Sequence, residues 1–292
     1  MSGMKKRKLR FSVDDTINNF LGRPTRIIAV ALLLVVVLFP LYWLVSNSFK
    51  MESEYLKSPP VMVPSRVTLE NYVYIFKNVG AGRSLLNTVC VAVFTTACCV
   101  FFGSLAGYAI AKGKLHSRVR SGFSLWFMIQ KMYPAVCIAI PIYLVMRTIG
   151  LIDTIPGLVI VNTSFNLPIV IWLLVGFFQD IPGEMEESGT IDGCNMYQRF
   201  FLLALPITKP GLIAAAILTF NSAWNEFLFS CILSINKSKT LSVVISGFIT
   251  DKGLQWGPMA ALAMVLIVPV VILVWAMQKD FISGMAMGSV KE

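Results

Sequence analysis

The most distinctive feature of this sequence is a polar segment in which acidic side chains collect. Residues 180–209 contain five acids against only two basic residues, Arg199 and Lys209; the acids are Asp180, Glu184, Glu186, Glu187 and Asp192. Such a group offers negative charge to a basic partner, and the alternative is a surface that is merely solvated.

Local sequence predicts how these acids are held. Pro182 suits the first turn of a helix, where the positive end of the helix dipole favours the three glutamates that follow it. Gly189 keeps such a helix short, because glycine costs about 1 kcal/mol relative to alanine, and Gly193 offers a turn after it. A second helix is predicted beyond that turn, and Pro206 and Pro210 mark an irregular entry into the next apolar stretch.

A second group of polar residues interrupts long apolar stretches. Its members are Lys131, Asn162, Asn166, Asn221, Trp224, Asn225 and Glu226. An unpaired charge in lipid costs about 2.5–3.5 kcal/mol on insertion scales, so Lys131 should face protein or water. Two interpretations stay open: these side chains bond one another and hold helices together, or some of them line a pathway and contact a solute.

Catalytic and metal-binding arrangements have little support in the sequence. The single histidine, His116, lies in a basic loop, and five of the six cysteines lie in apolar runs without metal-site spacing. An intramembrane hydrolase or transferase would need paired carboxylates, a Ser and His arrangement or a metal cluster, whereas Glu226 is the only acid within the apolar stretches. We therefore expect a non-catalytic chain that binds no metal or cofactor.

The elements that must position these residues are membrane helices. The chain is 56% hydrophobic and 14% charged, which indicates that lipid is its solvent. Six apolar stretches of spanning length are predicted, at 27–46, 84–111, 121–146, 157–178, 210–233 and 257–278. The first is too long for a secretory signal peptide and is predicted to be retained.

Charge predicts the orientation of these spans. The net charge is +10, and basic residues accumulate before the first span and in the loop 112–120, which places both on the cytoplasmic side. We interpret the surplus of positive charge as the signal that orients the spans in the membrane, and we expect no nucleic-acid partner. Residues 49–83, with a short surface helix, and 234–256 then lie outside. The expected organisation is a cytoplasmic segment 1–26, a transmembrane domain 27–282 with the loop 180–209, and a cytoplasmic tail 283–292.

Several motifs resemble a known family. Ile181, Pro182, Glu184, Glu187, Asp192 and Gly193, followed by Phe200, Leu205, Pro206, Pro210 and Gly211, are similar to the conserved cytoplasmic loop of ABC importer permeases. Ser188 and Gly189 stand where that loop usually has two alanines. The stretches GLIDTIPGL, SFNLPIVIW, SAWNEFLF and the tail FISGMAMGSVKE narrow the resemblance to carbohydrate uptake permeases, of the type that includes the smaller membrane subunit of the maltose transporter.

The resemblance implies an all-α membrane protein with six transmembrane helices, the type I ABC importer permease fold, and a cytoplasmic coupling helix between spans 4 and 5. That helix would insert into a cleft on an ATPase, and the residues implied in coupling are Glu184, Glu187, Ser188, Gly189, Asp192 and Gly193. The implied partners are a second homologous permease, two ATPase subunits and an extracytoplasmic solute-binding protein, in a bacterial cytoplasmic (inner) membrane. ATP and magnesium would bind the ATPase, because this chain has no phosphate-binding glycine loop.

The substrate class has alternatives. A sugar or oligosaccharide is expected from the resemblance, and Lys131 would suit an acidic one. A permease for glycerol phosphate, a phosphodiester or another solute is the first alternative, because Lys131 would suit a phosphate equally. A membrane scaffold that transports nothing is a further alternative, but it leaves the acidic loop without a purpose.

Overall fold

The structure is a computed structural model of the 292-residue chain, and it describes residues 23–289 except 56, 114, 251 and 252. Within that part, the side chains of residues 23, 24, 117, 124, 128, 131, 250 and 276–289 are not described. The predicted cytoplasmic segment 1–26 therefore lies almost wholly outside the described residues. The side chain of Lys131 and those of the predicted tail 283–292 lie outside them too.

Helices make up most of the described chain. In chain order they are α1 (Arg23–Ser48), α2 (Glu70–Tyr74), α3 (Ala81–Lys112), α4 (Ser117–Met132), α5 (Ala139–Thr148), α6 (Ile155–Gln179), α7 (Gly183–Ile191), α8 (Met196–Gln198), α9 (Leu205–Ile207), α10 (Lys209–Trp224), α11 (Leu228–Leu233), α12 (Leu241–Ser246) and α13 (Trp256–Ser289). Short 3-10 turns occupy Glu52–Glu54 and Ala135–Ile138, and π-helical turns occupy Ile75–Val79 and Arg199–Ala204. An antiparallel hairpin of β1 (Ile249–Thr250) and β2 (Gly253–Leu254) is a small departure from the all-α expectation.

Four helices in the described part of the chain are long and apolar enough to cross a membrane, namely α1, α3, α6 and the first 20 residues of α13. They coincide with the first, second, fourth and sixth predicted stretches. A fifth candidate is a bent pair, Met196–Ile207 with Lys209–Trp224, whose halves meet at 78°.

The third and fifth predicted stretches are not continuous helices. The third is divided between α4 and α5, because Pro134 has no N–H to continue the hydrogen bonding beyond Met132. The fifth is divided at 225–227, between α10 and α11. Interrupted helices of this kind are tolerated at membrane depth where protein surrounds them.

The core is built around α3 and α6. Gly103 and Gly107 lie one turn apart on α3 and face Val170 and Leu174 of α6; a β-carbon added at Gly103 would lie 2.5 Å from the Val170 side chain. Small residues at this spacing let two helices approach closely. The two helices therefore form one packed unit that extends to the acidic segment, where Tyr108 and Phe178 join the same buried cluster.

Candidate functional site

The acidic segment forms the helix, turn and helix that its sequence predicts. Helix α7 begins after Pro182, carries Glu184 and Glu186 in its first turn and ends at Ile191, with Asp192 as its C-cap residue. Gly193 follows with a φ of +82°, a left-handed conformation that glycine adopts without steric cost. Asn195 then starts α8 through a reciprocal capping box with Gln198, and the Asn and Gln three positions apart are a signal in the sequence for the start of this helix.

Gly189 is required for packing rather than for flexibility. It is buried, and a β-carbon there would overlap the side chain of Leu203 and lie 3.3 Å from the Cγ atom of Arg199. The short helix therefore presses directly onto the chain that follows its turn. This contact explains why a helix-weakening residue occupies the middle of α7.

One side of α7 is attached to the membrane helices. The Tyr108 hydroxyl donates to the Glu186 carboxylate, with oxygen distances of 3.0 and 3.2 Å. Arg199 lies on the same group, 4.0 Å from Nε to the carboxylate, and its other nitrogen donates to the Thr190 hydroxyl. The Lys112 ammonium donates to the main-chain carbonyl of Ile181 at 2.7 Å. The roles of Tyr108 and Lys112 were not predictable from the sequence, because nothing in it pairs residues 78 and 69 positions apart.

The other side of the segment is exposed and mixes acids with large apolar side chains. Ile191 is 86% exposed, Tyr197 74% and Met185 48%. We call this surface the acidic–apolar face, and its members are Glu184, Met185, Glu187, Ser188, Ile191, Asp192 and Tyr197, all exposed. Apolar side chains that cluster within a polar surface are typical of protein–protein contact sites. The sequence indicated the acids of this face but not its apolar anchors.

The segment joins α10 through a sharp bend at Thr208. Pro206 and Pro210 lie in the first turns of α9 and α10 on either side of it, which confirms the predicted irregular entry. Just beyond the bend, a β-carbon on Gly211 would overlap the ring of Phe177. Glycine therefore lets α10 pack directly against the end of α6.

Three of the predicted pathway residues are buried in the single chain. Asn162 and Asn166 are 2% and 4% exposed, and each amide donates to the carbonyl four residues earlier, at 3.0 and 2.9 Å. Trp224 is 1% exposed; its indole N–H donates to the Leu266 carbonyl at 3.2 Å, and its ring stacks on that of Phe220. These contacts favour the structural interpretation for all three.

The break between α10 and α11 holds the remaining described members. The Glu226 carboxylate accepts hydrogen bonds from the N–H groups of Phe229 and Ser230 at 2.6 and 2.9 Å, and it thereby caps α11. Asn221 and Asn225 are exposed, and the Asn225 amide donates to the Asn221 side chain at 3.1 Å. Lys131 lies in the last turn of α4, before the break at Pro134, and its side chain is outside the described part.

The two segments predicted to lie outside form one surface. Tyr55 and Asn71 of the first and Gln255 and Trp256 of the second line a cleft of about 560 Å³. Gly257 packs against Tyr55 at this cleft, since a β-carbon at position 257 would overlap the Tyr55 hydroxyl. The segments 49–83 and 234–256 are therefore neighbours, which their separation in sequence does not reveal.

Asp153 anchors the beginning of the second segment. Its φ is +57°, and its carboxylate accepts four consecutive main-chain N–H groups, those of residues 235–238, at 2.9 to 3.1 Å. Burial would raise the pKa of this carboxyl, but the four N–H groups together hold the pKa well below its usual range. Asp153 thus stays charged and holds the segment against the turn between α5 and α6.

Comparison with known proteins identifies the family. Residues 99–279 match the model of the binding-protein-dependent transport system inner membrane component. The sulfoquinovosyl glycerol transport system permease protein SmoH of Agrobacterium fabrum is 33% identical over 273 residues, 93% of this chain and 95% of that protein. The trehalose transport system permease protein SugB of Mycobacterium tuberculosis is 33% identical over 258 residues, 87% of this chain and 92% of that protein.

A solved structure shares the fold. A chain from the crystal structure of a bacterial ABC transporter involved in the import of the acidic polysaccharide alginate matches with a TM-score of 0.74 and 24% identity, over 90% of this chain and 99% of that one. The family match covers more than half of the sequence, and the curated relatives are aligned over most of their length. The chain belongs to the family of inner membrane components of binding-protein-dependent transport systems, the permeases of ABC importers.

Proposed function

We propose that this chain is one of two permease subunits of an ATP-driven importer that moves a sugar or oligosaccharide into the cytoplasm by alternating access. Relatives named for trehalose, diacetylchitobiose and sulfoquinovosyl glycerol transport support a carbohydrate substrate. The observation that carries the proposal is the acidic–apolar face, an exposed surface on a helix that is firmly attached to the membrane core.

The acidic–apolar face is proposed to dock into the ATPase. Ile191 and Tyr197 would fill apolar pockets, while Glu184, Glu187 and Asp192 would meet basic side chains around them. Ser188, Gly189 and Gly193 would act by fixing the shape of the segment. In this proposal α7 is the coupling helix, and ATP and magnesium bind the partner subunit.

The proposed topology has six spans with both termini in the cytoplasm. The basic loop 112–120 supports this orientation, because Lys and Arg accumulate on the cytoplasmic side. The divided stretches 121–146 and 210–233 each count as one interrupted span. The domain limits stay as 1–26, 27–282 and 283–292, in a bacterial cytoplasmic (inner) membrane.

The remaining partners follow from this topology. The joined outer segments, 49–83 and 234–256, would receive an extracytoplasmic solute-binding protein. Two ATPase subunits and a second homologous permease would complete the complex in the bilayer, and no nucleic acid takes part. The chain itself catalyses nothing.

The substrate is proposed to pass the break between α10 and α11. Asn221 and Asn225 are exposed there, so they are the residues best placed to meet a solute at the boundary with the second permease. The other predicted pathway residues would act indirectly, by holding in place the helices that surround the pathway; they are Glu226, Lys131 and the buried Asn162, Asn166 and Trp224. An acidic sugar would give Lys131 a direct role, and Lys131→Met should then reduce uptake of that sugar far more than it reduces the amount of folded protein.

Copurification tests the proposal. The tagged chain is extracted from its native host in mild detergent, and its partners are identified by mass spectrometry. We expect a second permease and a nucleotide-binding ATPase, and we expect Glu187→Lys to lose the ATPase because it reverses an exposed charge on the acidic–apolar face. Glu52→Lys, a matched reversal at an exposed position of the outer segment, should retain it. Recovery of a stable chain alone would support the scaffold alternative.

A further inference from the structure

The acidic segment is attached to α3 through polar contacts from Tyr108 and Lys112. Among the acids of α7, Glu184 and Glu187 are exposed, whereas Glu186 turns toward the protein and accepts the Tyr108 hydroxyl. The same helix of the core makes a second contact one turn later, from Lys112 to the Ile181 carbonyl at 2.7 Å. Residues four apart lie on one face of a helix, so both contacts come from the same face of α3.

The ring of Tyr108 is fixed in place. It is 3% exposed and packs against the rings of Phe178 and Phe200, with centroid distances of 5.5 and 5.1 Å. These rings belong to α6 and to the π-helical turn after α8. The hydroxyl therefore has a defined position, and a movement of Glu186 cannot be absorbed by rotation of the ring.

The helix that carries Tyr108 transmits displacement well. Gly103 and Gly107 hold α3 close to α6 through direct contacts with Val170 and Leu174. Closely packed helices resist independent sliding. A displacement delivered at Tyr108 is consequently passed to two membrane helices together.

We propose that the hydrogen bond between Tyr108 and Glu186 is the transmission link through which the ATPase-driven movement of α7 reaches α3 and α6. The inference rests on the proposed docking of α7 to an ATPase and assigns positioning roles to two residues. The Lys112 contact holds the start of the segment. It goes to a main-chain carbonyl ahead of α7, so it moves less with the helix itself.

Hydrogen exchange in the intact complex tests the link without knowledge of the substrate. Exchange is measured by mass spectrometry in the nucleotide-free complex and with ATP and vanadate. In the unmodified complex we expect the exchange rate to differ between the two nucleotide states in α7 and in the halves of α3 and α6 that lie away from the acidic segment. In Tyr108→Phe we expect the nucleotide-dependent difference in exchange to remain in α7 and to be largely lost in α3 and α6, because the hydroxyl that joins them to Glu186 is gone.

Controls separate transmission from stability. Tyr143→Phe makes the same chemical change on α5 and should leave every difference intact. Glu186→Gln should reproduce the effect of Tyr108→Phe in part, and the double variant should add nothing to Tyr108→Phe. A purely structural hydroxyl would raise exchange equally in both nucleotide states, and that result would overturn the inference.

The outcomes for the two proposals differ. Undiminished nucleotide-dependent differences in α3 and α6 of Tyr108→Phe overturn the link while leaving the docking proposal intact. Absence of the ATPase from the unmodified complex, or of any nucleotide-dependent difference in its α7, would overturn the proposed function itself and the link with it.

Discussion

Replacing Asp153 by asparagine should loosen the outer segment without disturbing the rest of the fold. Asparagine tolerates the left-handed backbone at this position, where φ is +57°, so the turn itself is retained. The change removes the negative charge that four consecutive N–H groups share. It also leaves only one acceptor oxygen on the side chain, because an amino group that cannot accept takes the place of the other. The oxygen that is lost is either Oδ1 or Oδ2, and Oδ2 accepts the Lys237 N–H at 3.0 Å.

The expected loss of local stability follows from these contacts. A hydrogen bond to a charged group contributes about 1.5–3 kcal/mol and a neutral one about 1 kcal/mol. Because the four bonds share one partly exposed carboxylate, we expect the free energy of local opening to fall by about 2 kcal/mol. That corresponds to about thirtyfold faster exchange of the amides of residues 235–238.

Hydrogen exchange followed by mass spectrometry measures this effect directly. Exchange in α12 serves as an internal reference and should not change, and Asp192→Asn, at an exposed aspartate on the opposite end of the molecule, should leave residues 235–238 protected. Unchanged protection in Asp153→Asn would refute the anchoring role. Faster exchange spread equally through α12 and α13 would show that the carboxylate stabilises the whole fold and does not hold this segment in particular.

The stabilisation of residues 235–238 by Asp153 also depends on pH, in a direction that the pKa shift determines. The folded-state pKa of Asp153 is lowered, so its stabilisation is present above the unfolded pKa of about 3.9 and is lost as the pH falls through the folded pKa. The ratio of exchange rates between Asp153→Asn and the unmodified chain should therefore be equal at pH 7 and pH 5. A ratio that approaches one at pH 5 would contradict this assignment.

Three further predictions concern the membrane helices, each measured as the apparent melting temperature of the detergent-extracted protein. Gly211→Ala should lower the free energy of unfolding by about 1–3 kcal/mol, because the new methyl group meets the Phe177 ring. The control Gly176→Ala places a methyl group in open space on α6 and should cost nothing, and equal effects of the two substitutions would argue against the contact. Glu226→Ala should cost about 0.5–2 kcal/mol through loss of the α11 cap, and an unchanged melting temperature would favour a role in the pathway alone. Trp224→Phe should cost about 2–3 kcal/mol, because it deletes the hydrogen bond to α13 and leaves a cavity where a side chain only 1% exposed was packed, and full stability would show that neither contributes.

The long helices were predictable because hydropathy reports them directly. Stretches 27–46, 84–111, 157–178 and 257–278 coincide with continuous helices, since an apolar run of that length has few other solutions in lipid. The break after α10 was not predictable. Asn225 and Glu226 were recognised as polar residues in an apolar stretch, but polarity alone does not reveal that the helix ends there, because the interruption depends on the Glu226 carboxylate capping the next helix.

A proline within an apolar stretch does not by itself interrupt a helix of this fold. Pro134 follows the end of α4, but Pro141 lies within α5 and Pro168 within α6, and neither divides its helix. A proline in the first turn costs no hydrogen bond, which explains Pro141. Only the three-dimensional surroundings distinguish these cases.

The acidic segment was predicted in outline but not in its attachments. The helix, the turn at Gly193 and the irregular entry into α10 follow from local rules of capping and proline geometry. The division of the acids into an exposed group and the inward Glu186 depends on Tyr108, which lies 78 residues away in sequence. Tertiary packing also gives Gly189 its purpose, because Leu203 occupies the space that a side chain would need.

Photo-cross-linking from the acidic–apolar face tests the central claim most directly. A photo-reactive phenylalanine analogue replaces Ile191, which is 86% exposed on this face, and in a control it replaces Val271, which is 58% exposed on the apolar helix α13. In native membranes, the account predicts that the probe at Ile191 cross-links to a nucleotide-binding ATPase and that the probe at Val271 does not. A probe at Ile191 that yields no cross-linked ATPase, or both probes yielding the same products, would contradict the assignment of this face as the contact with the motor.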